Sequence, residues 1–255
     1  MGTVVAGIIN VAAIKYLQIS LANIPLSSLT PFYSNGMYNF GIINISSLNS
    51  LSEMDCIQVL FDLYKVSFLP CILSIFVVWY VADEFQNGSI KYFIAKGCSH
   101  RNLYFTQFVV LGIATILITV VFTLISGIMA LAFWGISLKT QELIIPFLLL
   151  LLQEWVCYVA FDALCMMVAF LFRNTAGSLA LVLSMVFVLP AMLNLIGIFA
   201  NIGHSLNWVW ILNMASDLAD LSGSGWTFKS TAVVLATFIL AFGPEIFLFE
   251  KMEIK

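Results

Sequence analysis

The run Tyr104–Trp134 reads YFTQFVVLGIATILITVVFTLISGIMALAFW and contains no charged residue. A helix needs about 20 apolar residues to cross the hydrocarbon core of a bilayer, so this run is long enough to span one. Backbone polar groups inside a bilayer must be satisfied by a helix or by a closed barrel. Because the apolar residues are continuous rather than alternating, the run favours a helix over a barrel strand. It therefore predicts an all-α integral membrane protein.

The composition of the whole chain agrees with that class. Hydrophobic residues make up 62% of it, charged residues 9%, and the mean hydropathy is +1.06. A soluble domain has about 25% charged residues, so this chain could not cover a water-facing surface. The net charge of −3 is small and dispersed, which indicates no nucleic-acid partner. The five cysteines lack the spacing of a disulfide framework or zinc site: Cys56, Cys71, Cys98, Cys157 and Cys165.

The same length criterion predicts one transmembrane domain, residues 1–255, with six spans. Their bounds are about 4–24, 66–81, 104–134, 143–172, 178–200 and 228–249. Lys15 interrupts the first span. Excess Lys and Arg mark the cytosolic side, and six basic residues fall on one side if both termini are cytosolic, against three on the other. The six are Lys91, Lys96, Arg101, Arg173, Lys251 and Lys255.

The outer connection between spans five and six, residues 201–226, has an unusual composition. It carries Trp208 and Trp210 among apolar residues and ends in the sequence Ser222–Gly225. It is too short for a further pair of spans. We predict a re-entrant or interfacial helix followed by a flexible turn. An ordinary aromatic belt at the ends of the two spans is the alternative.

The densest polar stretch, Ala82–Arg101, lies between two spans on the predicted cytosolic side. Asn87–Gly88 predicts a break after span two, and Ser89 could cap a short new helix. Gly97 stands where a glycine would end that helix, and Ser99 could cap the next one.

This short helix presents an apolar face, since Ile90, Phe93 and Ile94 are spaced at i, i+3 and i+4. A helix of under two turns is not stable alone in water, so its apolar face must be buried on something. A groove on a partner protein is one candidate, and the membrane surface is the other.

The sequence Glu84–Lys91, followed by Gly97 and Arg101, resembles the pattern after the second span in type-2 ATP-binding-cassette permeases. Residues Phe172–Ala176 and the basic tail Lys251–Lys255 extend the resemblance. It implies that two permeases pair as a homodimer and that each docks an ATPase subunit through a coupling helix. The implied coupling residues are Asp83, Glu84, Gly88, Ser89, Ile90, Lys91, Phe93, Ile94, Lys96, Gly97 and Arg101.

The resemblance further implies an exporter in the bacterial cytoplasmic membrane, with ATP and Mg bound by the partner ATPase subunit and no cofactor bound by this chain. The sequence contains no GxxxxGK[ST] phosphate-binding loop, so we expect no ATPase activity of its own. Its 22 Phe and 10 Met offer adaptable apolar surfaces. We therefore expect an apolar or amphipathic peptide or toxin as substrate.

Span four contains two acids, Glu154 and Asp162, about 12 Å apart along a helix axis. A carboxylate at the bilayer centre costs about 2.5–3.5 kcal/mol, so such residues face a bundle interior or a wet cavity. They are candidates for the substrate path. The alternatives are a structural hydrogen bond or a neutral, protonated acid. Two other functions remain open: an ion-coupled secondary transporter that uses these acids, and a membrane immunity or scaffold protein.

Overall fold

The computed structural model describes residues 8–9, 11–12, 56–65, 69–97, 99–135, 138–199, 209–219 and 226–248. Within these ranges the regular secondary structure is helical and no strand occurs, as expected for an all-α protein. The helices are α1 Cys56–Lys65, α2 Leu69–Gln86, α3 Ser89–Ala95, α4 His100–Trp134, α5 Leu138–Phe172, α6 Thr175–Phe199, α7 Ile211–Leu218 and α8 Phe228–Leu248.

Four of the described helices are long and apolar enough to cross a membrane. Their spanning segments are Leu69–Gln86, Asn102–Trp134, Glu142–Phe172 and Thr175–Leu193. These match predicted spans two to five, and the chain is a multi-pass membrane protein. Helix α8 occupies predicted span six, with a shorter apolar segment, Phe228–Gly243. Predicted span one, 4–24, lies almost wholly outside the described residues, so the total of six stays a prediction.

Helix α5 is the centre of the bundle. It packs against α1, α2, α4, α6, α7 and α8. Between Cys157 and Phe170 every side chain is buried except those of Val159 and Met167, which are partly exposed. A helix that is apolar on all sides belongs in the interior, because it has no face to give to water.

One end of the bundle is held together by an aromatic cluster that joins four helices. The ring of Phe170 on α5 lies 5.0 Å from that of Phe85 on α2 and 5.2 Å from that of Tyr104 on α4. Tyr104 in turn lies 5.3 Å from Phe242 on α8, and all three pairs meet edge to face. The cluster therefore places the α2–α4 and α5–α6 connections at the same end of the bundle.

Removing the central ring of this cluster should destabilise the fold. Phe170 is 1% exposed, and truncating a buried Phe costs about 3–5 kcal/mol. We expect Phe170→Ala to lower the thermal unfolding midpoint of the protein in nanodiscs. Phe172→Ala is the matched control on the same helix, because Phe172 is 50% exposed. Equal midpoints for the two variants would contradict the packing described here.

The other end of the bundle is closed by α1. The Tyr64 hydroxyl lies 2.5 Å from Thr123 Oγ1 of α4, and the ring of Phe61 lies 5.4 Å from that of Phe147 of α5. Burial raises the pKa of the Tyr64 phenol well above its usual range, so this phenol keeps its proton. These contacts fix α1 against the halves of α4 and α5 that lie away from Phe170.

Helix α7 lies inside the bundle, against α1, α5 and α8. Its Ile211, Met214 and Leu218 side chains are buried. Trp210, just before α7, places its ring 6.1 Å from that of Phe161 on α5. The helix is therefore packed against the long helices. The sequence predicts a re-entrant or interfacial helix here, and that position in the membrane stays a prediction. Residues 201–208 and the predicted flexible turn 222–225 lie outside the described ranges.

Candidate functional site

The predicted break before the short helix α3 is present, and its cap is a glycine. Gly88 has φ 72°, a conformation that glycine adopts without steric cost. Its carbonyl oxygen accepts a hydrogen bond from the Tyr92 N–H at 3.3 Å. Gly88 is thus the N-cap, and Ser89, for which we predicted that role, is the first helical residue. The break is set by backbone freedom rather than by a hydroxyl cap.

The predicted end of α3 and the start of α4 also agree with the structure. The Lys96 N–H donates to the Tyr92 carbonyl at 3.1 Å, and Gly97 follows with φ 89°. Ser99 caps α4, with its side-chain oxygen accepting from the Asn102 N–H at 3.3 Å. Glycines on both sides and a capped helix after it fix the length of α3.

The apolar face of α3 is divided between the chain itself and solvent. Ile90 is 1% exposed, and α3 packs against α2. Phe93 is 44% exposed and Tyr92 is 58% exposed. We expected Ile90 to share a partner-binding face with Phe93, but Ile90 is buried against its own chain. Among the described side chains of α3, the exposed aromatic ones are Tyr92 and Phe93. The Lys91, Ile94 and Arg101 side chains lie outside the described part.

A cation lies over one ring of this aromatic pair. Lys96 Nζ is 4.2 Å from the centroid of the Tyr92 ring. An exposed cation–π contact of this kind contributes about 0.5–1 kcal/mol. The exposed surface of α3 is therefore both aromatic and positively charged.

The two acids before α3 have partners within the chain. Asp83 Oδ2 accepts from the Asn87 side-chain amide at 2.8 Å. The half-buried Glu84 carboxylate accepts from the Gln107 amide on α4. The resemblance assigned both acids to contacts with an ATPase subunit. In the structure they join the end of α2 to the α3 turn and to α4.

The α5–α6 connection touches the same region, which sequence analysis did not foresee. Gln86 Nε2 donates to Thr175 Oγ1 at 3.2 Å, and the Arg173 guanidinium lies 6.0 Å from the Phe85 ring. Arg173 has φ 52°, a left-handed conformation that is uncommon outside glycine. These contacts connect the end of central helix α5 to the residues that precede α3. Polar residues in both connections at one end were the signal available in the sequence.

The two acids of span four face the interior of the bundle, as predicted. Glu154 is 0% exposed and Asp162 is 1% exposed. Asp162 Oδ2 is hydrogen-bonded to Thr115 Oγ1 of α4. Glu154 lies close to Tyr158, one turn further along α5. Among the described residues, neither Glu154 carboxylate oxygen nor Asp162 Oδ1 has a hydrogen bond of normal geometry.

Helix α4 carries a polar stripe whose members contact α2, α5 and α1 in turn along its length. The members are polar side chains in an otherwise apolar helix: Gln107, Thr115, Thr119, Thr123 and Ser126. All but Thr123 are fully buried. From Gln107 to Ser126 the helix rises about 28 Å, close to the roughly 30 Å thickness of the hydrocarbon core. The stripe therefore runs along most of a membrane-spanning length, and Asp162 lies beside it. Threonines at every fourth position were the signal for it in the sequence.

Comparison with known proteins gives one finding and two negative results. A family model described as ABC-2 family transporter protein matches residues 17–201, which include α1 to α6. No curated protein and no solved structure matches the chain. The resemblance found in Glu84–Lys91 is thereby confirmed. Since the match covers well over half of the sequence, the chain belongs to the ABC-2 transporter family.

Proposed function

We propose that the chain is the membrane-spanning permease subunit of an ATP-driven exporter, and that α3 couples it to a separate ATPase subunit. Membership of the ABC-2 family supports a permease and implies an ATPase partner. The observation that carries the coupling role is the exposure of Tyr92 and Phe93 on a helix whose length is fixed by glycines. Aromatic side chains are the residues that most often dominate the energy of protein interfaces.

The contacts between α3 and the rest of the chain would transmit a movement of the ATPase subunit to the membrane-spanning helices. Ile90 is packed within the chain, and Glu84 is hydrogen-bonded to Gln107 of α4. Phe85 contacts Phe170 of the central helix α5. A displacement of α3 would therefore move the ends of α2, α4 and α5 together. Such a displacement would reach the helices that carry the buried acids and the polar stripe.

The substrate path would follow the interface between α4 and α5. Asp162 lines this interface on α5 and is bonded to Thr115 of the polar stripe on α4. Glu154 is buried about two turns earlier on α5. We propose an apolar or amphipathic peptide as cargo, because it could bury apolar side chains on the many Phe and Met residues while its polar groups face the stripe. A homodimer would bring two such interfaces together in one transporter.

We also propose the membrane arrangement predicted above, with both termini in the cytosol and α7 as a re-entrant helix. The contact of Trp210 with Phe161 supports the re-entrant position, since Phe161 lies near the middle of the Glu142–Phe172 span. The α2–α4 and α5–α6 connections carry basic residues and lie at the same end of the bundle. Because excess Lys and Arg mark the cytosolic side, this arrangement supports placing that end in the cytosol.

The orientation can be tested by thiol labelling in a variant whose five native cysteines are replaced. Glu142→Cys should react with an impermeant reagent on intact cells, because Glu142 is exposed at the opposite end from α3. Ser89→Cys should react only after the membrane is opened. Labelling of position 89 in intact cells would overturn the proposed orientation.

The exporter function itself can be tested by reconstituting the chain with an ATPase subunit in liposomes. We expect ATP hydrolysis to be stimulated by amphipathic peptides more than by lipids, drugs or oligosaccharides. ATP-dependent accumulation of a labelled peptide inside inside-out vesicles would establish export. Stimulation by a different class of compound would contradict the peptide assignment and leave the permease role in place.

A further inference from the structure

The hydroxyl of Thr115 has two close oxygen neighbours and only one hydrogen. Its Oγ1 lies 2.9 Å from the Leu111 carbonyl oxygen and within hydrogen-bond distance of Asp162 Oδ2. A threonine hydroxyl is one donor with two acceptor lone pairs. If its hydrogen points to Leu111, the hydrogen between Thr115 and Asp162 must belong to Asp162.

The neighbouring threonines all make one kind of hydrogen bond. Thr119 donates to the Thr115 carbonyl at 2.7 Å, and Thr123 donates to the Thr119 carbonyl at 2.7 Å. Thr237 on α8 donates in the same way to the Val233 carbonyl at 2.8 Å. Donation to the carbonyl four residues earlier is the usual bond of a threonine inside a helix. If Thr115 makes this same bond to Leu111, its hydroxyl oxygen is left to accept a hydrogen from Asp162.

The Tyr64–Thr123 pair, whose threonine is on the same helix, has a comparable arrangement. Thr123 gives its hydrogen to the Thr119 carbonyl, so its hydroxyl oxygen accepts from Tyr64. The Tyr64 phenol carries the hydrogen for that bond. Asp162 stands beside Thr115 as Tyr64 stands beside Thr123. Its carboxyl group can donate a hydrogen bond only when it is protonated.

The surroundings of Asp162 also disfavour a negative charge. The side chain is 1% exposed, and Oδ1 has no hydrogen-bond partner among the described residues. The described parts of α2, α4, α6 and α7 contain no Lys or Arg side chain facing it, and Lys229 of α8 belongs to the opposite end of the bundle from Phe170. An ionised carboxylate buried without a cation is costly by several kcal/mol.

The titratable groups around Asp162 do not replace that cation. Cys165 lies nearby on α5 and can only be neutral or negative. Glu154 is buried two turns earlier on the same helix, and Glu84 of α2 is engaged with Gln107 of α4. Tyr64 of α1 is bonded to Thr123. Lys15, the basic residue of predicted span one, lies outside the described residues.

We propose that Asp162 is a proton-binding site in the membrane interior, where its neutral carboxyl group donates a hydrogen bond to Thr115 and thereby joins α5 to α4. The ligand of this site is a proton. The bond is one link in a continuous sequence, from the Asp162 hydroxyl to the Thr115 hydroxyl to the Leu111 carbonyl. It holds the two helices together at the middle of the polar stripe.

The site has a consequence for transport that rests on the proposed function. When the α4–α5 interface opens around a substrate, water can reach Asp162. The carboxyl O–H bond then breaks, its proton passes to water, and hydronium and a carboxylate result. Closure takes the proton back. Because the closed interface binds the proton, lower pH favours the closed state and higher pH favours the open one.

Infrared spectroscopy of the full chain in nanodiscs, without ATPase or substrate, tests the site directly. Aspartate labelled with a heavy carbon in its side-chain carboxyl group shifts the bands of all aspartates. We expect one label-sensitive band in the carboxylic-acid region at neutral pH, and we expect Asp162→Asn to remove it. Glu154→Gln should leave this band in place, because the label is confined to aspartate.

A second variant tests the proposal even if Asp162→Asn does not fold. Thr115→Val keeps Asp162 and removes its acceptor, so the labelled acid band should move to higher frequency. A wild-type spectrum with label-sensitive bands only in the carboxylate region would overturn the proposal, and so would an acid band that Thr115→Val leaves unmoved. These infrared measurements do not depend on export. They can therefore contradict the proton-binding site without contradicting the permease assignment, and the reverse.

Discussion

Replacement of Phe93 by alanine is expected to weaken copurification of the ATPase subunit and to uncouple ATP hydrolysis from transport, while membrane insertion stays normal. Phe93 is 44% exposed on α3, so its ring is available to a partner. An aromatic anchor at the centre of an interface contributes about 2 kcal/mol or more, which corresponds to roughly 30-fold in affinity. The measurement is the dissociation constant of the permease and ATPase subunits in nanodiscs, together with transport per ATP hydrolysed.

The structure supplies the controls for this experiment. Phe172→Ala removes an aromatic of similar exposure, 50%, from α5 at the same end of the bundle, and should leave docking unchanged. Gln86→Ala is a poor control, although Gln86 is exposed, because its amide donates to Thr175. Wild-type copurification and wild-type transport by Phe93→Ala would sink the coupling role of α3. The helix would then be a turn on the membrane surface.

Replacement of Asp162 by asparagine is expected to lower transport by about tenfold or more, equivalent to about 1.4 kcal/mol in the activation barrier. Asparagine keeps the size of the side chain and can still donate to Thr115, so the bundle should assemble. It cannot release a proton when the α4–α5 interface opens. The measurement is the initial rate of ATP-dependent peptide uptake into vesicles, normalised to the amount of assembled complex.

The companion variants separate a role in the path from a role in folding. Thr115→Ser keeps the hydroxyl acceptor for Asp162 and should transport at close to the wild-type rate. An Asp162→Asn protein that expresses poorly but transports normally per assembled complex would make Asp162 a structural residue. Normal expression with a reduced rate would place it in the transport path.

The sequence by itself determined the long apolar helices and the limits of α3. Apolar runs predicted the helices that became α2, α4, α5, α6 and α8, because a backbone inside a bilayer must form its own hydrogen bonds. Gly88, Gly97 and Ser99 predicted the limits of α3 and the start of α4, because left-handed glycines and hydroxyl caps act within a few residues. The sequence Glu84–Lys91 also indicated the family to which the chain belongs.

Only the tertiary structure decided which faces of these helices meet. Helices that are apolar on every side have no pattern that fixes their rotation, so the pairing of Thr115 with Asp162 was not visible in the sequence. The spacing of Ile90 and Phe93 placed both on one face, and the packing of α3 against α2 then buried the first and left the second exposed. The depth of Trp210 beside Phe161 likewise depends on contacts between segments far apart in the chain. Local rules act over a few residues, whereas burial depends on what the rest of the chain brings near.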